Sequence, residues 1–170
     1  MRKSQARFLG EGKAATLEPY PTMNNNPVFN IFGEPVEILI TSKATNYSFC
    51  SGVQTSPPGG GPPPHKHARE EEIFMVMEGE FEFFDGHEWS RFMKDEVKYS
   101  MRGNFHGFRN CGKTTGKLRF ITTPGGLDEY FATICTLTLP QDMDRLTEIS
   151  NDYGYEFMAL EPPKLLNALT

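Results

Sequence analysis

Positive charge is sparse and unclustered in this chain of 170 residues. Lys and Arg total 17 against 22 Asp and Glu, for a formal net charge of −5, and no basic run occurs anywhere. A nucleic-acid surface needs a basic face to meet phosphates, so that class of partner is excluded. Cysteine is also scarce. Cys50, Cys111 and Cys135 are three in number and far apart, which is neither a disulfide framework nor a CxxC metal knuckle. They are expected to be reduced, mostly buried thiols in a cytoplasmic protein. No apolar stretch is long enough to cross a bilayer. The first residues, Met1 to Gly10, carry positive charge with no apolar run behind it, so the features of a signal peptide are missing. Internal repeats are absent as well, and the length suits a single domain over 1–170.

Aromatic residues, in contrast, are plentiful. Fourteen Phe and eight Met suit an interior with room for an aromatic ligand, and equally suit a Phe-rich sandwich core. β-Branched and alternating runs predict strands at 36–41, 47–55, 72–77, 80–84, 87–92, 96–101, 105–110 and 117–123, with Gly, Pro, Asn and Asp between them. Asp85-Gly86 predicts a two-residue hairpin turn. With no helical pattern intervening, this reads as an all-β sandwich or barrel over about 35–135. Before it lies a polar, Pro-broken N-terminal arm (1–30) with room for one short strand. After it, Met143, Leu146 and Ile149 recur at helical spacing up to Gly154, predicting an outer helix at about 141–153, followed by a tail at 154–170.

The stretch around which the chain is organised runs from Gly59 to Gly79. His65 and His67 are one residue apart, so on an extended strand both imidazoles share a face. Three carboxylates, Glu70, Glu71 and Glu72, follow at once. Imidazole nitrogens beside carboxylate oxygens suit a divalent transition metal, whereas Ca²⁺ and Mg²⁺ prefer oxygen alone. The competing reading is a solvated acidic turn beside ordinary imidazoles.

The spacing is Gly59, five residues, His-x-His, four residues, Glu72, six residues, Gly79. It resembles the complete first motif of the cupin family. The second cupin motif is matched at Gly103, His106 and Asn110, with Met101 where the motif has proline. The resemblance implies a cupin double-stranded β-helix, a jelly-roll barrel. It also implies a mononuclear metal site of His65, His67, Glu72 and His106. Among the glutamates, Glu71 would point outward if the strand alternates in phase with Phe74 and Val76. Glu70 shares the inward parity, but only Glu72 keeps the motif's distance to Gly79. His87, beside the Asp85-Gly86 turn, is expected to be exposed and no ligand. Met75, Met77 and Met101 are expected to pack the barrel rather than bind metal.

The run Pro57 to His67 followed by Arg69-Glu70-Glu71-Glu72, the run Thr123 to Phe131, Tyr153-Gly154 and Glu161-Pro162-Pro163 further resemble the single-domain bacterial quercetin 2,3-dioxygenases and their relatives. That likeness implies one divalent ion (Fe, Mn, Ni, Co, Cu or Zn), a small aromatic or enolic substrate and dioxygen. In the implied reaction Glu72 is ligand and catalytic base, taking the proton of a flavonol 3-hydroxyl before dioxygen opens the ring with loss of carbon monoxide. Phe74, Val76, Phe108 and Phe120 are candidate pocket walls, with core packing an equal alternative. A non-oxidative isomerase, cyclase or decarboxylase, or a non-catalytic ligand-binding module, fits the same ligand set. A homodimer is expected, because open jelly-roll edges need covering.

Overall fold

The computed structural model describes residues 26–158. Most of the expected N-terminal arm and the end of the tail, including Glu161-Pro162-Pro163, lie outside the described residues.

Eleven strands and two α-helices follow in chain order. The first five strands are β1 (Val28–Ile31), β2 (Glu34–Ile40), β3 (Cys50–Ser56), β4 (His65–His67) and β5 (Glu71–Glu78). Then come β6 (Phe81–Phe84), β7 (Trp89–Phe92), β8 (Val97–Ser100), β9 (Gly107–Asn110) and β10 (Gly116–Thr123). Helices α1 (Leu127–Ile134) and α2 (Met143–Tyr153) precede β11 (Tyr155–Phe157). The larger sheet has the order β1-β2-β3-β10-β5-β8, a smaller one β7-β6-β9, and β11 pairs with β4. All pairings are antiparallel.

The side-chain period of two decides what faces inward. Along β5, Glu72, Phe74 and Val76 are buried, whereas Ile73 and Met75 are exposed. Phe74 meets Phe83 of β6 at 5.4 Å and Phe108 of β9 at 5.5 Å between ring centroids. These aromatic contacts join the two sheets into one interior. Glu72, Phe74 and Val76 are paired with Thr122, Phe120 and Leu118 of β10, so the interior is stacked in layers along the barrel.

Several expectations need correction. Met75 and Met101 do not pack the barrel: they are exposed on the outer face with Ile73, Val97 and Tyr99, and Met77 is only half-buried. Odd-numbered positions of β5 have outward parity, which the expectation of a packed Met75 ignored. The Asp85-Gly86 pair sits in a four-residue turn, closed by Asp85 N–H to Glu88 O at 3.2 Å. The Asp85 carboxylate accepts from the N–H groups of His87 and Glu88 and so draws them into the turn. Cys50 is buried, but Cys111 and Cys135 are only partly so.

The barrel ends at Thr123, short of 135. Residues Leu127, Tyr130, Phe131 and Ile134 recur at helical spacing and form α1, which lays that stripe on the barrel mouth. The buried Asp128 carboxylate in its first turn accepts from Ser42 N–H at 3.0 Å and from the Ser42 hydroxyl. Helix α2 ends at Gly154, whose φ of 84° provides the left-handed C-cap. The chain then turns back as β11 in the expected tail.

Candidate metal centre

Strand β4 has three residues, yet both of its edges are bonded. On one side β11 pairs Tyr155 with His67 and Phe157 with His65. On the other, His65 and His106 exchange two backbone hydrogen bonds (2.8 and 2.7 Å), and Gly103 N–H donates to His67 O at 2.7 Å. The backbone itself therefore sets His106 beside the His65-x-His67 pair. Glu72 enters from the start of β5, where it is paired with Ser100 and Thr122.

One donor atom from each of His65, His67, Glu72 and His106 lies within 4.8 Å of the others. The ring centroids of the three histidines stand 4.8–5.0 Å apart. Glu72 Oε2 is 2.8 Å from His106 Nε2 and 3.6 Å from His67 Nε2. Donors about 2.1 Å from a common ion stand roughly 3–4 Å apart, so closing on a metal requires shifts of only several tenths of an ångström. His67, Glu72 and His106 are buried, and His65 is half-buried.

The donor chemistry fits a divalent transition metal. His65 Nδ1 lies 2.9 Å from Pro63 O, and His106 Nδ1 lies 3.1 Å from Asn104 O. A proton on each Nδ1 satisfies these carbonyls and aims Nε2 at the shared point. Burial, helped by the neighbouring His106, pushes His65 down to about 3. Burial, with both other histidines, also holds His67 well below its ordinary value. Both rings are therefore neutral at pH 7, the form that ligates. Burial would lower His106 too, but the hydrogen bond and charge of Glu72 outweigh it and raise it.

The other carboxylates separate by side. Glu71 points outward and pairs with Arg102 at 3.2 Å. Glu70 points inward but lies behind His67, its Oε2 3.9 Å from Nδ1. His87 is exposed, as expected.

The cluster opens into a cavity of about 410 Å³, within the range of small-molecule sites. Phe74, Phe108 and Phe120 line it, as expected; Val76 does not. Val76 is paired with Leu118, one layer beyond the Phe74–Phe120 pair, and is wholly buried core. The expectations missed the α1 stripe, Tyr155 and Phe157, and the Pro57–Pro63 loop, all part of the wall. The spacing of 127, 130, 131 and 134 was a readable signal for α1. Three residues of alternation at 155–157 gave little for β11. Among the described residues the lining contains no Lys or Arg. Its one acid besides Glu72 is Glu34, which is occupied with Gly61 N–H, Gln54 Nε2 and Ser56 Oγ.

The family model of the cupin domain matches residues 52–123, a span that includes all four clustered residues. Over that span the chain is similar to a cupin domain, and the barrel has the cupin fold. Among solved structures, an RmlC-like cupin from Shewanella frigidimarina NCIMB 400 superimposes with a TM-score of 0.55 at 18% identity, covering 66% of this chain and 96% of that one. A predicted oxalate decarboxylase from Thermotoga maritima gives 0.51 at 24% identity, over 58% and 91% of the two chains. KdgF from Halomonas sp. gives 0.51 at 18% identity, over 57% and 85%. At these identities the likeness concerns the fold. Among curated proteins, none matches the chain by sequence. The cupin barrel thus places a His₃Glu cluster at the end of an aromatic cavity. No helix among the described residues is long and apolar enough to cross a membrane.

Proposed function

We propose that this cupin is a metal-dependent dioxygenase of the quercetin 2,3-dioxygenase type, opening a neutral enolic or phenolic aromatic ring. The observation that carries this reading is the pairing of the His₃Glu donors with an aromatic cavity that, among the described residues, has no cationic side chain in its lining. A dicarboxylate or sugar phosphate would bring charge into a low-dielectric space, with only the metal to meet it. A planar aromatic with one acidic hydroxyl brings little charge and gains from ring contacts.

His65, His67, Glu72 and His106 would hold one divalent ion of the transition series. When bound, that ion supplies Lewis acidity to a ligated hydroxyl and a route for electrons towards dioxygen. The protein's own part is orientation and proton transfer. Phe74, Phe108 and Phe120 hold the ring system against the cluster and exclude water. Glu72, already in contact with His106 Nε2, accepts the hydroxyl proton on its carboxylate. Nδ1 of His65 and of His106 is held by the Pro63 and Asn104 carbonyls, so these two imidazoles keep one orientation throughout.

The test is metal analysis of gently purified protein, followed by oxygen-electrode assays with flavonols and other enolic aromatics under each candidate metal. Oxygen uptake with matching ring opening supports the dioxygenase. Turnover without oxygen uptake would assign an isomerase, cyclase or decarboxylase. Tight ligand binding with nothing consumed would assign a binding module. A homodimer belongs to the same proposal: among the described residues β8 is an edge strand of the larger sheet, and sedimentation velocity reads the oligomeric state directly.

A further inference from the structure

Two of the three histidines at the centre solve the same problem in the same way. His65 and His106 each place Nδ1 on the carbonyl two residues back, Pro63 O and Asn104 O. His67 has no such option. The carbonyl two residues back is that of His65, and it accepts the backbone N–H of His106. Its Nδ1 is buried and has no hydrogen-bond partner among the described residues. Facing it, 3.9 Å away, is Glu70 Oε2, also buried and also unpartnered. Buried polar atoms normally find partners. Here an acceptor and a potential donor oppose each other, about 1 Å beyond hydrogen-bond distance.

Glu70 is 4% exposed and has no Lys or Arg among its hydrogen-bond or ion-pair partners. Its Oε1 accepts from the Tyr155 hydroxyl at 3.1 Å. Tyr155 is itself fixed by an edge contact with the His67 ring (4.3 Å) and by the Tyr130 ring (4.4 Å). The Tyr130 hydroxyl is hydrogen-bonded with Ser150 Oγ of α2 at 2.9 Å. Glu70 is therefore held from behind, with its second oxygen aimed at the ligand ring.

We propose that Glu70 is a positioning residue for the metal centre. Its carboxylate accepts a hydrogen bond from the Nδ1–H of His67, so that Nε2 carries the lone pair towards the ion, and Tyr155 anchors it there. The inference rests on His67 being a ligand, as in the proposed function. It assigns Glu70 no contact with metal or substrate. Outer carboxylates that orient a ligating histidine typically affect metal affinity 10–100-fold.

The experiment is Co(II) titration of metal-free wild type, Glu70→Gln and Tyr155→Phe, followed by calorimetry and the visible Co(II) bands, with urea denaturation of each metal-free protein alongside. Glu70→Gln is expected to weaken Co(II) binding about tenfold or more and shift the bands. Tyr155→Phe, which loosens the anchor but keeps the carboxylate, should weaken it about fivefold. Metal-free Glu70→Gln should be as stable as wild type or nearly so, because the amide oxygen still accepts from the Tyr155 hydroxyl. Wild-type affinity within twofold and unchanged bands in both variants would overturn the inference. So would loss of affinity only in step with loss of the metal-free fold, which marks a structural role. Failure of wild type itself to bind Co(II) overturns the metal centre along with it, so the two failures are distinct.

Discussion

Gly61 lies in the loop that walls the cavity, and its replacement by alanine tests how closely that wall is built. Its φ is +137°, and a Cβ there would stand 2.1 Å from Phe108 O, 2.9 Å from Phe108 C and 3.0 Å from Arg109 Cα. All three are backbone atoms of β9 and its neighbourhood, so no side-chain rotation relieves the contact. The loop must back away by about 1 Å to regain van der Waals distance. That movement loosens three hydrogen bonds: Gly61 N–H to Glu34 Oε1 (2.6 Å), Gly59 N–H to Asn110 O (2.8 Å) and Asn110 N–H to Gly60 O (2.8 Å). At about 1 kcal/mol for each bond, with strain of about 1–3 kcal/mol from the dihedral, Gly61→Ala should cost about 4–6 kcal/mol. Gly59, the motif glycine, separates the two effects. Its φ is +79°, but nothing lies within 4 Å of its hypothetical Cβ. Gly59→Ala should therefore cost only the dihedral strain, about 1–2 kcal/mol. Urea denaturation of both variants measures the difference, and aromatic-ligand affinity should fall more for Gly61→Ala. If Gly61→Ala is no more destabilising than Gly59→Ala, the close approach of this wall to β9 is wrong.

Removing a primary donor should act on metal rather than fold: His106→Ala is expected to weaken Co(II) binding by more than about 100-fold, read by calorimetry. Val76→Ala should lower stability by about 1–3 kcal/mol while leaving aromatic-ligand affinity unchanged, because Val76 is core and not cavity wall; a changed affinity would contradict that placement. Gly52→Ala should do the reverse of a neutral change, since its Cβ would meet Phe120 Cζ at 2.5 Å and Glu37 O at 2.6 Å, and both stability and ligand affinity should fall. In the metal-free protein, depressed His65 and His67 mean that below about pH 6.5 the unfolded chain takes up protons the fold refuses. Their contribution is therefore complete above the unfolded value and is lost as pH falls, about 2–3 kcal/mol for the pair between pH 7.5 and 5.5. His106, raised by Glu72, acts oppositely and more weakly over that range, its contribution fading as pH rises through its folded value. Urea midpoints in chelator at the two pH values should show the net loss on acidification, and no loss would refute the neutral imidazoles.

Periodicity made the barrel legible, because each strand of β2, β5, β6 and β10 carries enough alternation to fix which side chains face inward. The four clustered residues were legible for a different reason: their spacing is a family motif, and the motif states a contact between His106 and β4 that no local pattern contains. What could not be read depends on distant partners. Val76 and Phe74 share one face of β5, and only the pairing with Leu118 and Phe120 decides which layer borders the cavity. Glu70 has the same parity as Glu72, and its place behind His67 goes with its hydrogen bond to Tyr155, 85 residues away. Strand β11 is too short for alternation to mark it out. Its reality comes from β4, whose free edge it covers.

That pairing has a thermodynamic consequence for the site. A three-residue strand carrying two of the four clustered residues has no stability of its own, so His65 and His67 are placed only while both neighbours of β4 are in position. One neighbour is the Gly103–His106 segment, which contributes His106 itself. The other is β11, tied further by Ala68 N–H to Gly154 O and Met158 N–H to Pro64 O, both 2.8 Å. Anything that binds the assembled ligands must therefore stabilise the docking of β11, by an amount that grows with the logarithm of metal concentration over its dissociation constant. Hydrogen exchange reads this directly. Amides of residues 155–157 should gain protection on adding metal, in parallel with those of 65–67, whereas strands remote from the cluster should gain only what the global stability gains. If β11 exchanged at one rate with and without metal, its edge pairing with the ligand strand would not be what holds the imidazoles in place.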